Sequence, residues 1–200
     1  MFLITEDTEN NTEQTRPIKT GLSLLKPLFE IFQTVFLALI LYFLIDSVVA
    51  RVRVENISML PTLESGEFLL VNKLAYRNGD FQHGDIVVFH YPQNPQDDYI
   101  KRIIGLPGDT ITITQEQVYV NGNQMKEAYT AEPPGYEGEW IIPPDSIFVL
   151  GDNRNQSSDS HSWGYVPVYD VVGKAIVVYW PLDELKLLSP AAVVNAANNE

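Results

Sequence analysis

The sequence predicts a mainly β fold in which a domain of short antiparallel sheets is anchored by one N-terminal transmembrane helix. Three observations predict it. A single long apolar stretch lies near the N-terminus. Everything beyond it breaks into short runs rich in Val, Ile, Tyr and Phe, each closed by Gly, Pro, Asn or Asp, and no long helical pattern competes. The 200 residues suffice for one domain of ordinary size plus an accessory segment.

Residues 1–27 open with Glu6, Asp7, Glu9 and Glu13 among Thr and Asn. That composition is too acidic for a signal peptide or an Arg-rich transit peptide, and it predicts a disordered tail. Residues 28–50 form the anchor. The uninterrupted apolar heart Val35–Ile45 is extended by Ile31, Phe32, Val48 and Val49, which gives about the 20 residues needed to cross ~30 Å of hydrocarbon. A buried amphipathic helix is the competing reading, because Glu30, Gln33 and Asp46 interrupt the run. They lie towards its ends, where polar groups reach the headgroups. No small-x-small site follows the run, so the anchor is expected to be retained. Arg16, Lys19 and Lys26 before it balance Arg51 and Arg53 after it, and charge leaves its orientation unassigned.

Residues 51–188 make the β-rich domain, with strands expected at Phe68–Leu74, Asp85–Tyr91, Tyr99–Ile104, Thr110–Thr114, Gln117–Val120, Ile147–Leu150 and Ala175–Trp180. Thr110–Thr114 alternates with period two, and Asn121-Gly122 after Val118–Val120 signals a tight hairpin turn. Glu132–Pro144 reads as an irregular excursion and Gly151–Gly164 as a long polar loop, a feature that is commonly functional in a compact β domain. Residues 189–200 form a C-terminal tail with no evident role.

Charge and composition exclude several classes of function. With 13 Lys+Arg against 26 Asp+Glu and a net charge of −13, a nucleic-acid backbone would be repelled. The absence of cysteine removes disulfides, thiolate nucleophiles and Cys-built metal sites. His83 and His90 flank one strand without further clustered ligands, so neither metal nor cofactor is expected.

Ser58 lies in Val-Glu-Asn-Ile-Ser-Met-Leu-Pro-Thr-Leu, just after the span. A serine becomes a useful nucleophile only beside a base. A Ser-His-Asp set could be assembled from Ser58, His83 or His90, and Asp85, but no G-x-S-x-G surrounds Ser58. Lys101 sits in Tyr-Ile-Lys-Arg-Ile-Ile-Gly, on one strand face with Tyr99 and Ile103. If that face is buried, desolvation disfavours the ammonium and moves the lysine towards a general base. The stretch by itself favours a surface lysine on an edge strand.

Four motifs together resemble the type I signal peptidase family, the Ser-Lys endopeptidases that remove leader peptides from exported preproteins. They are Ser-Met-Leu-Pro-Thr-Leu at 58–63, Gly-Asp-Ile-Val-Val-Phe at 84–89, Tyr-Ile-Lys-Arg-Ile-Ile-Gly-Leu-Pro-Gly-Asp at 99–109 and Gly-Asp-Asn-Arg-Asn-Gln-Ser-Ser-Asp-Ser-His-Ser-Trp-Gly at 151–164. They follow a single N-terminal span in the family's order. The resemblance implies that Ser58 is the nucleophile, that Lys101 is its general base, that Ser157 orients the lysine and that Asp159 braces the site. Two residues depart from the family pattern. Asn56 stands where many members place an oxyanion-binding serine, and its amide is expected to donate instead. His161 stands where many members place an arginine that pairs with the aspartate, so the brace is expected to depend on pH.

Met59, Tyr99 and Ile100 match family positions near two shallow pockets for small side chains, with core packing as the alternative for each. The implied partners are secretory preproteins and the lipid bilayer, without nucleic acid. The implied location is a single-pass membrane protein with its peptidase domain on the exported side. Two other readings have distinct signatures. A self-cleaving Ser-Lys repressor would carry a helix-turn-helix domain and no span. A membrane-tethered β binding module would carry Ser58 and Lys101 incidentally and show no activity.

Overall fold

The computed structural model describes residues 25–188. The tail expected over 1–27 lies outside them except for residues 25–27, which are helical, and the tail 189–200 lies outside them entirely. The chain divides after Phe43 into two compact units, each described by itself.

The first unit carries most of helix α1, Leu25–Val48, whose 24 residues give about 36 Å of length. That is enough to cross a bilayer core. Large apolar side chains from Leu28 to Ile45 lie exposed around the helix rather than packed into a core. Thr34 Oγ1 donates back to Glu30 O at 2.8 Å, which keeps a polar side chain satisfied within the apolar run.

The second unit begins with the last turn of α1 and continues directly into strand β1, Val49–Arg53. The expected anchor therefore ends two residues early. Val49 and Ala50 pair with Asn72 and Val71 of β2, Phe68–Asn72, so their backbone groups are satisfied by a ladder instead of the helix. The remaining strands are β3 Ile86–Tyr91, β4 Asn94–Gly105, β5 Thr110–Thr114, β6 Gln117–Val120, β7 Asn123–Gln124, β8 Gly138–Ile141, β9 Ser146–Leu150, β10 Val166–Pro167, β11 Val171–Trp180 and β12 Lys186–Leu187. They form an eight-stranded sheet ordered β1-β2-β11-β3-β4-β9-β10, with β12 also on β11, and a four-stranded sheet ordered β7-β6-β5-β8. All pairings are antiparallel.

Local chemistry accounts for these elements. Ile111 and Ile113 alternate inward from β5 onto Val118, Val120, Ile142 and Phe148, while the intervening threonines remain half-buried on the other face. Asn121 (φ 51°) and Gly122 (φ 79°) make the tight turn that sets Val120 opposite Asn123. A second tight turn, at Gln115 (φ 49°) and Glu116 (φ 63°), has no glycine to announce it. The excursion 132–144 is less irregular than expected, because Gly138–Ile141 adds to β5 as an edge strand. The polar loop 151–164 contains a 3-10 turn at Arg154–Gln156 and a short helix α2, Ser160–Trp163, capped by Asp159.

β4 decides what the site can be. It lies between β3 and β9, with Lys101 opposite Val87 and Arg102 opposite both Ile86 and Leu150. Lys101 is therefore on an interior strand, and the edge-strand reading of it fails.

Candidate active site

Three segments bring the polar centre together. The turn after β1 supplies Asn56 and Ser58, the buried face of β4 supplies Lys101, and the loop after β9 supplies residues 151–159. Lys101 is 2% exposed. Its Nζ donates to Ser58 Oγ at 2.7 Å and to Ile100 O at 3.0 Å, and stands 5.3 Å from the centre of the Tyr99 ring. Burial penalises the ammonium and lowers the Lys101 pKa to about 8, although the charges of Asp159 and Asp152 pull the other way. Desolvation outweighs the two carboxylates, so a substantial share of neutral amine is present near neutral pH.

The loop holds the Ser58 backbone in place. Asn153 N donates to Ser58 O at 3.1 Å and Asn153 Nδ2 to Ile57 O at 3.1 Å. Gly151 lies so close that a Cβ there would stand 2.4 Å from Ser58 O and 2.2 Å from Ser157 Oγ. Asp159 is fully buried and accepts from Gly151 N at 2.9 Å. Its other oxygen accepts from His161 N at 3.3 Å and lies 2.6 Å from His161 Nδ1. The His161 ring stacks on Tyr136 at 3.9 Å. Beneath these residues Arg102 clamps Asp152 through Nε at 2.8 Å and Nη2 at 2.6 Å, and its Nη1 donates to Gly84 O at 2.8 Å. The fork is bidentate and buried, which fixes the floor of the site.

The sequence-predicted residues fall into three groups. Ser58 and Lys101 meet, and Asp159 and His161 meet one loop away. Ser157 Oγ is buried beside Gly151 and makes no hydrogen bond among the described residues. Asn56 lies against Ser58: its Oδ1 accepts from Ser58 N at 3.2 Å and from Ser58 Oγ at 2.8 Å. Tyr99 and Ile100 line a cleft of about 380 Å³ that runs between residues 52–56 and 96–100, and Tyr99 also lines a pocket of about 170 Å³ at Ser58 and Lys101. Met59 is instead fully buried in the core with Val54, Leu63, Ile86 and Ile100.

The histidines considered as bases are elsewhere. His83 pairs with Asp109 at 2.7 Å and His90 with Asp98 at 2.7 Å, so the triad assembled from Ser58, His83 or His90, and Asp85 does not form. Sequence reasoning missed Gly151, Asn153 and the Arg102–Asp152 pair as parts of the site. Their signal was present, since all four lie inside the motifs at 99–109 and 151–164, but only the fold shows which backbone atoms they hold.

Residues 28–180 match the family described as signal peptidase, peptidase S26. Signal peptidase I of Leptolyngbya laminosa is 41% identical over 199 residues, covering 94% of this chain and 98% of that protein. Probable signal peptidase I-2 of Synechocystis sp. is 44% identical over 170 residues, covering 82% and 78%. Signal peptidase I of Bacillus caldolyticus is 43% identical over 148 residues, covering 66% and 79%. With a family match across most of its length and such identity to a relative covered nearly end to end, this chain belongs to the signal peptidase family of serine endopeptidases, peptidase S26.

Proposed function

We propose that Ser58 and Lys101 form the dyad with which this signal peptidase removes leader peptides from exported preproteins after small-x-small sites. The observation that carries the reading is the 2.7 Å contact between Ser58 Oγ and a buried Lys101 amine. In the resting state the Ser58 hydroxyl donates a hydrogen bond to Asn56 Oδ1 and accepts one from Lys101 Nζ. Catalysis requires the hydroxyl proton to turn towards the lone pair of neutral Lys101. Nζ then takes that proton as Oγ attacks the scissile carbonyl carbon, and the resulting ammonium protonates the departing amine. The acyl ester left on Ser58 is hydrolysed when the amine, neutral again, takes a proton from an attacking water and gives it to Ser58 Oγ as the bond from the acyl carbon to Oγ breaks.

Negative charge develops on the carbonyl oxygen, and Ser58 N–H is the donor placed to meet it once the substrate oxygen displaces Asn56 Oδ1. The Asn56 amide supplies a second donor by turning its nitrogen inward. Ser157 Oγ, buried and unpaired, orients the Lys101 amine during proton transfer. Asp159 and His161 support this loop from behind.

An extended leader segment lies in the cleft between residues 52–56 and 96–100 as an added strand, its alternate side chains directed at the wall that Tyr99 and Ile100 provide. The pocket of about 170 Å³ at Ser58, Tyr99 and Lys101 receives the side chain next to the scissile bond. Helix α1 crosses the membrane and the peptidase domain works on the exported side, where leader peptides emerge; nucleic acid is not a partner of so acidic a chain. The test is cleavage of a preprotein with an Ala-x-Ala site, followed by mass measurement of the new N-terminus. Cleavage after the second alanine, lost when that alanine becomes Leu, is expected; cleavage indifferent to that change contradicts the reading.

A further inference from the structure

We infer that the groove between the turn following β2 and the segment leading into β11 binds the anionic headgroup of a membrane phospholipid. The groove is about 270 Å³ and is lined by Lys73, Tyr76, Arg77, Phe81, Tyr169 and Val172, among others. The inference rests on α1 spanning the bilayer and does not depend on the catalytic dyad.

Depth is the first argument. Lys73 Nζ donates to Asp46 O at 2.8 Å, and Lys73 N–H donates to Val48 O at 2.9 Å. Asp46 and Val48 belong to the last turn of α1, immediately after the apolar run ends at Ile45. A bilayer crossed by that run has its headgroup layer at this turn, and the two hydrogen bonds hold Lys73 at the same level.

Charge is the second. The chain carries a net charge of −13, yet among the described residues Lys73 and Arg77, like Lys26, Arg51, Arg53, Lys101 and Lys126, form no ion pair, and of these only Lys73 and Arg77 line this groove. The buried carboxylate of Asp85, which accepts from the lining residue Tyr76 at 3.0 Å, is paired with Lys174 at 2.6 Å. Two cations therefore remain for an outside anion.

The lining is the third argument. Tyr76 and Phe81, which stack at 4.2 Å, line the same groove as the two cations, and Tyr169, also in its lining, is 81% exposed. Aromatic rings beside Lys and Arg are the composition of a membrane interface, where one edge meets glycerol and acyl chain and the other meets water. A free inorganic anion would gain nothing from such a floor, so the occupant is the lipid.

The experiment uses the full chain, delipidated in detergent and offered an equal mixture of phosphatidylglycerol and phosphatidylcholine, with bound lipid counted by native mass spectrometry. The unaltered chain is expected to retain phosphatidylglycerol in preference to phosphatidylcholine. Each cation near an anionic surface is worth about fivefold, so Lys73→Gln with Arg77→Gln should reduce the preference roughly 30-fold. Lys126→Gln, a distant exposed control, should keep it. Cleavage of a short soluble peptide by the double variant should be unchanged, which shows that its fold is intact. Equal retention by the double variant overturns the inference, as does displacement of phosphatidylglycerol by millimolar inorganic phosphate. Loss of the chain from membranes would instead contradict the span.

Discussion

Activity should rise about tenfold for each pH unit up to a limit near pH 8 and then level off, because the working form of Lys101 is the neutral amine. Burial moves its pKa from 10.5 to about 8. At pH 7 that leaves on the order of 10% of molecules with a neutral amine, against about 0.03% at the ordinary value, a gain of roughly 300-fold in competent enzyme. The stability consequence has a definite sign. Between pH 8 and 10.5 the unfolded chain binds a proton at Lys101 that the folded chain has lost, so stability rises with pH through that window. Below pH 8 the folded protein carries the full cost of the buried ammonium, about 3 kcal/mol for a shift of this size. The assay is kcat/KM for a preprotein from pH 6 to 10, with folding monitored by circular dichroism at each pH. A profile flat from pH 6 to 9, or a limb still rising beyond pH 10, would refute a lysine base in a desolvated site.

Other consequences can be measured separately. Lys101→Met removes the buried charge and should raise the melting temperature at pH 7 by roughly 6–12 °C, for about 3 kcal/mol in a unit of this size, with the gain shrinking towards pH 10.5; an unchanged or lowered melting temperature contradicts the burial cost. Gly151→Ala should lower kcat by about 100-fold or more while the chain stays folded, since the new methyl displaces Ser58 O or Ser157 and with it the attacking oxygen; near-normal kcat would show that the loop yields. His161→Arg places a permanent cation on Asp159, weakens the hold of that carboxylate on the Lys101 proton, and should move the acid limb to lower pH by about one unit at most. His161→Asn supplies no cation and should not lower the limb, and identical limbs for the two variants would remove Asp159 from the account.

Much of the β domain was legible because its strands carry their own punctuation. Thr110–Thr114 and Gln117–Val120 were found to the residue, since alternation and the Asn121-Gly122 turn set their limits. Strands stabilised mainly by a partner were not. Val49 and Ala50 read as the tail of an apolar span until β2 is present to pair with them, and Gly138–Ile141 is hidden among prolines and glycines until β5 offers an edge. The same limit applies at the site. Side-chain chemistry makes Ser58 and Lys101 no more than candidates, and the resemblance of four motifs to a family is what singles them out, because whether Lys101 is buried depends on β4 being an interior strand, a long-range property. At Asn56 the resting side chain accepts from Ser58 N and Ser58 Oγ, a contact that residue type alone does not give. Gly151 and Asn153 act through backbone contacts to Ser58 and Ile57, which leave no trace in residue type alone.

The central claim is that Ser58 Oγ is the attacking atom and Lys101 Nζ takes its proton. Its most direct test is cleavage of an Ala-x-Ala preprotein by the detergent-solubilised chain and by its Ser58→Ala and Lys101→Ala variants, with circular dichroism confirming that each is folded. Loss of cleavage in both variants is the predicted result; processing retained by either folded variant would contradict the account.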